Sequence, residues 1–320
     1  TGTGKTGPRT WTKTGKVAVT VVVSDMKGKT ATLKKTLTIT ADFASHDWKG
    51  TTSSAWAVAK NWSPVTAVPS DKAKFARWSA AFTGKHQPTV GKAIAVRGLR
   101  LAANLAREVT ITLASAAVSV SIHQDGVAIA GAAGDLSIQG KGKVVLANDQ
   151  TWAVAKASRL GLACGLAGPG GLTKTGAGTL TLGGSSVHAG ATKITAGRCD
   201  VNGTLSGAIS VAPGSILGGT GKFNKAVTIP KGARLAPGVE IGTLTLASNL
   251  TLAGDLRVEV DRSAAQTSDK VVVGGVVKLA PSARVHVSNL GPPLQPGDTF
   301  QVLEKAVAGA DALAIIPKLA

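Results

Sequence analysis

The chain has 320 residues, 40 of them glycine, a formal net charge of +19, only 3% aromatic residues and no tyrosine. A core of rounded shape is normally filled with large rings. This composition instead suits many short Val, Thr, Ala and Leu strands joined by tight turns. Two cysteines exclude a disulfide-dense scaffold, and no apolar run reaches the ~18 residues of a membrane span.

Residues 1–15 are rich in Thr, Gly and Lys without periodicity and read as an extended arm. Gly2 to Thr6 spells Gly-Thr-Gly-Lys-Thr but lacks the preceding strand and upstream glycine of a phosphate loop. Thr1 is not an initiator and no charged-then-apolar leader follows it, so the chain is expected to be a processed or excised product, with export left open. Strand alternation begins next. Val17, Val19, Val21 and Val23 share one face, the Asp25–Gly28 turn follows, and Ala31, Leu33, Leu37 and Ile39 return. That pattern predicts a β-hairpin. Residues 1–41 therefore form a first region of arm and hairpin.

Residues 42–100 form a second region, expected to cap the molecule and hold its first coils. Trp48, Trp56 and Trp62 fall here with Phe75 and Trp78, a cluster of large rings suited to closing the open end of a small-residue core. The charge is also concentrated at this end. Residues 1–100 hold seventeen Lys/Arg and four acidic residues (17 − 4 = +13), leaving +6 for the other 220. Such a field attracts anionic polymers, among them acidic polysaccharide and envelope phosphates. The bases are scattered and carry no nucleic-acid motif, so specific nucleic-acid recognition is not expected.

From 101 to 320 short strand signals recur, with Gly, Asn or Pro-Gly at the corners. Each such coil exposes two edges and persists only by pairing with its neighbours, which predicts an all-β solenoid preceded by the N-terminal hairpin. Cys164 alternates with Leu160, Leu162 and Leu166, and Cys199 with Val201, so both thiols are expected to face inward. Their separation of 35 residues leaves a disulfide and two free rung-filling thiols both open.

The run from Gly170 to Gly184, GGLTKTGAGTLTLGG, is followed by Gly190-Ala191-Thr192, Leu217-Gly218-Gly219-Thr220-Gly221, Ala236-Pro237-Gly238 and Ile241-Gly242-Thr243-Leu244. In order and spacing it resembles the autotransporter-associated β-strand repeat, over about residues 48–320. Ser268-Asp269-Lys270-Val271 and Gly297-Asp298-Thr299-Phe300 fit as well; Ser186-Val187-His188-Ala189-Gly190 departs from that family's Asn-Thr-Tyr-Ser-Gly. The resemblance implies a right-handed parallel β-helix, export, and an extracellular or cell-surface location. The segment Gly15–Ile39 resembles the last two strands of a PKD-type immunoglobulin-like domain without its usual tyrosine.

Candidate chemistry is sparse. Asp255, Glu259 and Asp261 fall on one outward strand face, whereas glycoside hydrolysis needs two carboxylates opposed across a cleft. His46, His86, His123, His188 and His286 have no metal-ligand spacing. No catalytic residue, cofactor or metal is expected. The reading is a non-enzymatic structural protein of the cell surface or matrix, self-associating as a fibre. In that fibre, the hairpin residues Val17, Val19, Val21, Val23, Leu33, Leu37 and Ile39 would join the edge of the next copy. The alternative is an adhesin whose basic N-terminal third grips acidic polysaccharide.

Overall fold

The structure is a computed structural model that describes residues 15–24, 30–39, 45–65, 68–305, 307 and 313–316. The arm and the Asp25–Gly28 turn lie outside these residues. The chain divides into two compact units, residues 1–45 and 46–320. In the first, strands Gly15–Ser24 and Thr30–Ile39 pair antiparallel. Their register sets Val17 opposite Leu37, Val21 opposite Leu33 and Val23 opposite Ala31.

The second unit is a right-handed parallel β-helix. Each coil contributes one strand to each of three faces. A central coil runs Arg159–Leu162, Gly165–Ala167, Leu172–Thr175; the next runs Thr179–Leu182, Ser185–Ser186, Thr192–Ile194. The first face is an 11-stranded sheet. The other two faces are joined early in the coil by strands that turn the corner, Ile94–Leu101 and Ser119–Ile129. The third face ends as a separate three-stranded sheet.

Alternation within each strand and register between coils together build the core. On the first face the inward column reads Val109, Leu136, Leu160, Leu180, Cys199, Leu217, Leu235, Leu256, Val285, one residue per coil. On the second it reads Val120, Val144, Leu166, Ser186, Leu205, Phe223, Leu246, Val273. A one-residue slip would turn every one of these side chains outward, so burial fixes the register. Corners are made by glycine where the backbone turns left-handed, as at Gly140 (φ 107°) and Gly219 (φ 104°), a conformation side chains resist.

The coils lengthen toward both ends. In the first-face column the step is 27 residues from Val109 to Leu136, 18 from Cys199 to Leu217, and 29 from Leu256 to Val285. The tight centre has short corners; the ends carry loops, which form the sites described next.

Candidate interaction sites on the coil

At the N-terminal end the second unit packs its tryptophans together. Trp48 and Trp56 meet Trp62 edge-on at 4.9 and 4.7 Å between ring centroids, and Trp78 lies 6.2 Å from Trp56. Edge-to-face contacts of this kind suit the ring quadrupoles. All four rings and Phe75 are buried. Indole N–H groups donate from Trp48 to His86 O, Trp56 to Pro69 O, and Trp62 to Trp56 O. Buried Asn61 holds the entering loop: its Oδ1 accepts from the Thr52 and Ser53 amides, and its Nδ2 donates to Ala55 O. Beside this cluster Trp56, Val68, Val90 and Ile94 line an apolar cleft of about 120 Å³, with Lys92 at its edge.

Some of the basic residues in this region are paired. Arg77 contacts Asp47 at 2.5 Å, Arg97 contacts Asp125 at 2.5 Å, and Lys74 contacts Asp71 at 2.9 Å. Lys60, Lys72, Lys85 and Lys92 are exposed.

The middle coils hold a polar interior that sequence reading passed over. Lys174 occupies an inward position on the third face between Trp152 and Ile194 and is wholly buried. Its ammonium donates to Thr175 O (3.1 Å), Gly176 O (2.7 Å) and, one coil on, Ala196 O (3.0 Å). All three of its donors are thus used. Burial pulls its pKa down to about 8. The parity with Leu172 was the available signal, since residues two apart share a strand face. In the following coil His188 is buried, with Nε2 3.0 Å from Thr192 Oγ1 and Nδ1 without a partner among the described residues; burial lowers its pKa.

Both cysteines are buried free thiols. Cys199 stacks between Leu180 and Leu217, and the residue two coils before it in that column is Leu160, whereas Cys164 sits at the following corner. Burial pushes the thiol pKa up to about 11 at Cys164 and about 12 at Cys199, with Asp200 adding to the second.

The most elaborate polar site lies outside the first face. Arg198 opens the strand Arg198–Val201, and its Nε donates to both oxygens of Asp200 at 2.7 and 2.9 Å. Its Nη2 donates to Gly238 O at 2.8 Å, tying down a turn two coils away. Asp200 is 4% exposed; burial raises its pKa while Arg198 pulls it back. Asp269, 1% exposed, accepts from the Gly242 amide (2.7 Å) and the Glu259 amide (2.8 Å). Burial outweighs these bonds and lifts its pKa to about 6. Glu259 is raised by burial too, and its Oε2 is a buried acceptor without a hydrogen-bond donor among the described residues.

Between the outward surface of this sheet and the Gly238 turn runs a cleft of about 190 Å³. Arg198, Arg257, Glu259, Asp269 and Ser288 supply its polar lining, and Ile216, Pro237, Val239 and Val258 its apolar one. Of the acidic residues singled out from sequence, Asp255 and Glu259 do share the outward face of Asp255–Val260, as alternation predicts. The site differs from a solvated stripe because the long loop 261–269 brings Asp269 back over it. Asp255 pairs instead with Arg234 (3.9 Å) and His286 (3.5 Å), and Asp261 binds the Ser263 amide and hydroxyl beyond the strand.

Comparison with known proteins agrees with this architecture. Residues 172–198 match the family model of the passenger-associated-transport-repeat. This segment contains Lys174 and the coil from Thr179 to Arg198. A curated relative, the adhesin BmaC autotransporter of Brucella suis biovar 1 (strain 1330), is 37% identical over 76 residues, 23% of this chain. The chain spans 2% of the length of that relative. No solved structure matches. No helix among the described residues is long and apolar enough to cross a membrane.

Proposed function

Starting from a chain that carries an autotransporter-associated repeat, we propose that it is a stalk segment of an exported, surface-exposed passenger: a non-enzymatic structural rod. The observation that carries this reading is the uninterrupted in-register column from Val109 to Ile315. Ten strands at ~4.8 Å spacing extend roughly 43 Å, each coil held by main-chain hydrogen bonds to the ones above and below. Such a stack resists bending and leaves the outward positions free to vary. The test is to place an epitope tag at the exposed Lys231-Gly232 turn of the full precursor and label intact cells. Labelling without lysis supports the stalk; a tag reached only after lysis contradicts it.

In the polymer form of this reading, the strands carrying Val17, Val19, Val21, Val23, Leu33, Leu37 and Ile39 add to the edge of a second copy. Two features favour it. A two-stranded hairpin is marginal alone, and the edge strand Ala314–Ile316 leaves Ile315 and Ile316 48% and 40% exposed. Electron microscopy with and without residues 1–41 decides it: fibres lost on deletion support strand donation, and single rods in both samples contradict it. The second reading is adhesion, as the name of the relative says of that protein. Exposed Lys60, Lys72, Lys85 and Lys92 favour an acidic polysaccharide partner. Binding of this kind is lost at high salt, because exposed charges are screened beyond ~8–10 Å.

A further inference from the structure

We infer that the cleft between Arg257, Glu259, Ser288 and the Gly238-Val239 turn is a binding site for one neutral sugar ring. At about 190 Å³ it lies below the roughly 300–1,000 Å³ of pockets for drug-sized ligands, a size that suits a single pyranose. Its polar groups alternate in type. Arg257 and Ser288 offer donors, while Glu259 and Asp269 offer acceptors. Glu259 Oε2 is already desolvated and lacks a donor among the described residues, a state that costs free energy until a donor arrives. A polyhydroxyl ring supplies donors and acceptors together and lays its C–H face on Ile216, Pro237 and Val239. Val239, 74% exposed, forms an open lip.

Charge argues against the simpler ligands. The charges of Arg198 and Arg257 are matched in and beside the cleft by Asp200, Glu259 and Asp269, so no positive excess selects an anion. A cation would meet two guanidinium groups lining the same cleft. The site is also held in place before any ligand binds. Arg198 fastens Gly238 O, and Asp269 fastens Gly242 and Glu259 through their amides, so little ordering remains to oppose binding. The inference gives the proposed stalk a ligand and stands apart from its export, because the titration below uses purified protein.

The test titrates the whole 320-residue chain, observed by amide NMR, with methyl α-D-mannopyranoside, methyl β-D-galactopyranoside and methyl N-acetyl-β-D-glucosaminide in turn, and separately with calcium chloride. At least one glycoside is expected to shift the Gly238, Val239, Glu259 and Ser288 amides with a Kd of about 1 mM. Glu259→Gln and Arg257→Ala should each weaken it about 10-fold or more, the loss of a hydrogen bond to a charged group. Arg284→Ala, on the neighbouring strand and outside the cleft lining, should leave it unchanged. Glu259→Gln should melt no lower than the parent, since it removes a charge that burial disfavours. The inference is overturned if none of the glycosides shifts these amides, if calcium alone does so, or if both cleft variants bind as the parent does.

Discussion

Gly161 and Gly218 occupy the same outward column of the first face, three coils apart through Thr181 and Asp200, yet alanine should act oppositely at the two. A Cβ at Gly161 meets nothing within 4 Å. Neither position has a left-handed backbone, so Gly161→Ala only removes freedom from the unfolded chain and should be neutral or stabilise by about 0.4–1 kcal/mol. A Cβ at Gly218 would stand 2.6 Å from Asp200 Oδ1 and 2.7 Å from Arg198 Nη2. Relief requires displacing the Arg198–Asp200 pair, whose charge-assisted bonds are worth about 1.5–3 kcal/mol, or moving the main chain at Ala236 O, 2.5 Å away. With overpacking strain of about 1–3 kcal/mol added, Gly218→Ala should cost about 3–5 kcal/mol. Amide hydrogen exchange at Cys199, Leu217 and Leu235 reads the local stability directly; protection there should fall by about 100-fold or more. Equal effects of the two alanines, or an unchanged Arg198–Asp200 pair in Gly218→Ala, would refute the packing argument.

Lys174→Ala removes the buried stem and the donor that bridges Gly176 O and Ala196 O, and should destabilise the central coils by about 2–5 kcal/mol; exchange at Ile194 and Cys199 checks it. Cys164 and Cys199, buried and with raised pKa values, should both resist Ellman's reagent at pH 8 and react only on unfolding; a rapidly reacting native thiol contradicts their placement. Asp269 binds its proton more readily folded than unfolded, with a pKa of about 6 against 3.8. Its contribution is therefore fully present below pH ~4 and is lost, to the extent of about 3 kcal/mol, as pH rises through 6. Carbon NMR of its carboxyl group should show that midpoint, and Asp269→Asn should flatten the slope of stability between pH 4 and 6.

Periodicity made the coil legible in the sequence. Period-two alternation identified the inward Val and Leu positions, and the Gly-rich run from Gly170 to Gly184 lies in the segment matched by the repeat family. The two strands of the hairpin follow from the same alternation. Two kinds of feature escaped. Lys174 was read as part of a motif because lysine is rarely buried unless paired; its partners are main-chain carbonyls from two coils, which no residue type announces. The cleft escaped because Arg198, Glu259 and Asp269 lie up to 71 residues apart (269 − 198) and meet only through coil stacking and the return of loop 261–269. Spacing within one strand reveals a shared face, but not what a loop lays over it.

The solenoid is a continuous in-register stack, and one distance tests it. Arg159 and Arg284 are exposed and bound the stretch Arg159, Thr179, Arg198, Ile216, Arg234, Asp255, Arg284 of the outward column. Spin labels at these two sites, in a Cys164→Ser/Cys199→Ser background, should report six coil steps, about 29 Å between backbones at ~4.8 Å per step. A narrow distribution there supports the rod; a distance below about 20 Å, or a broad spread, contradicts the single-register solenoid.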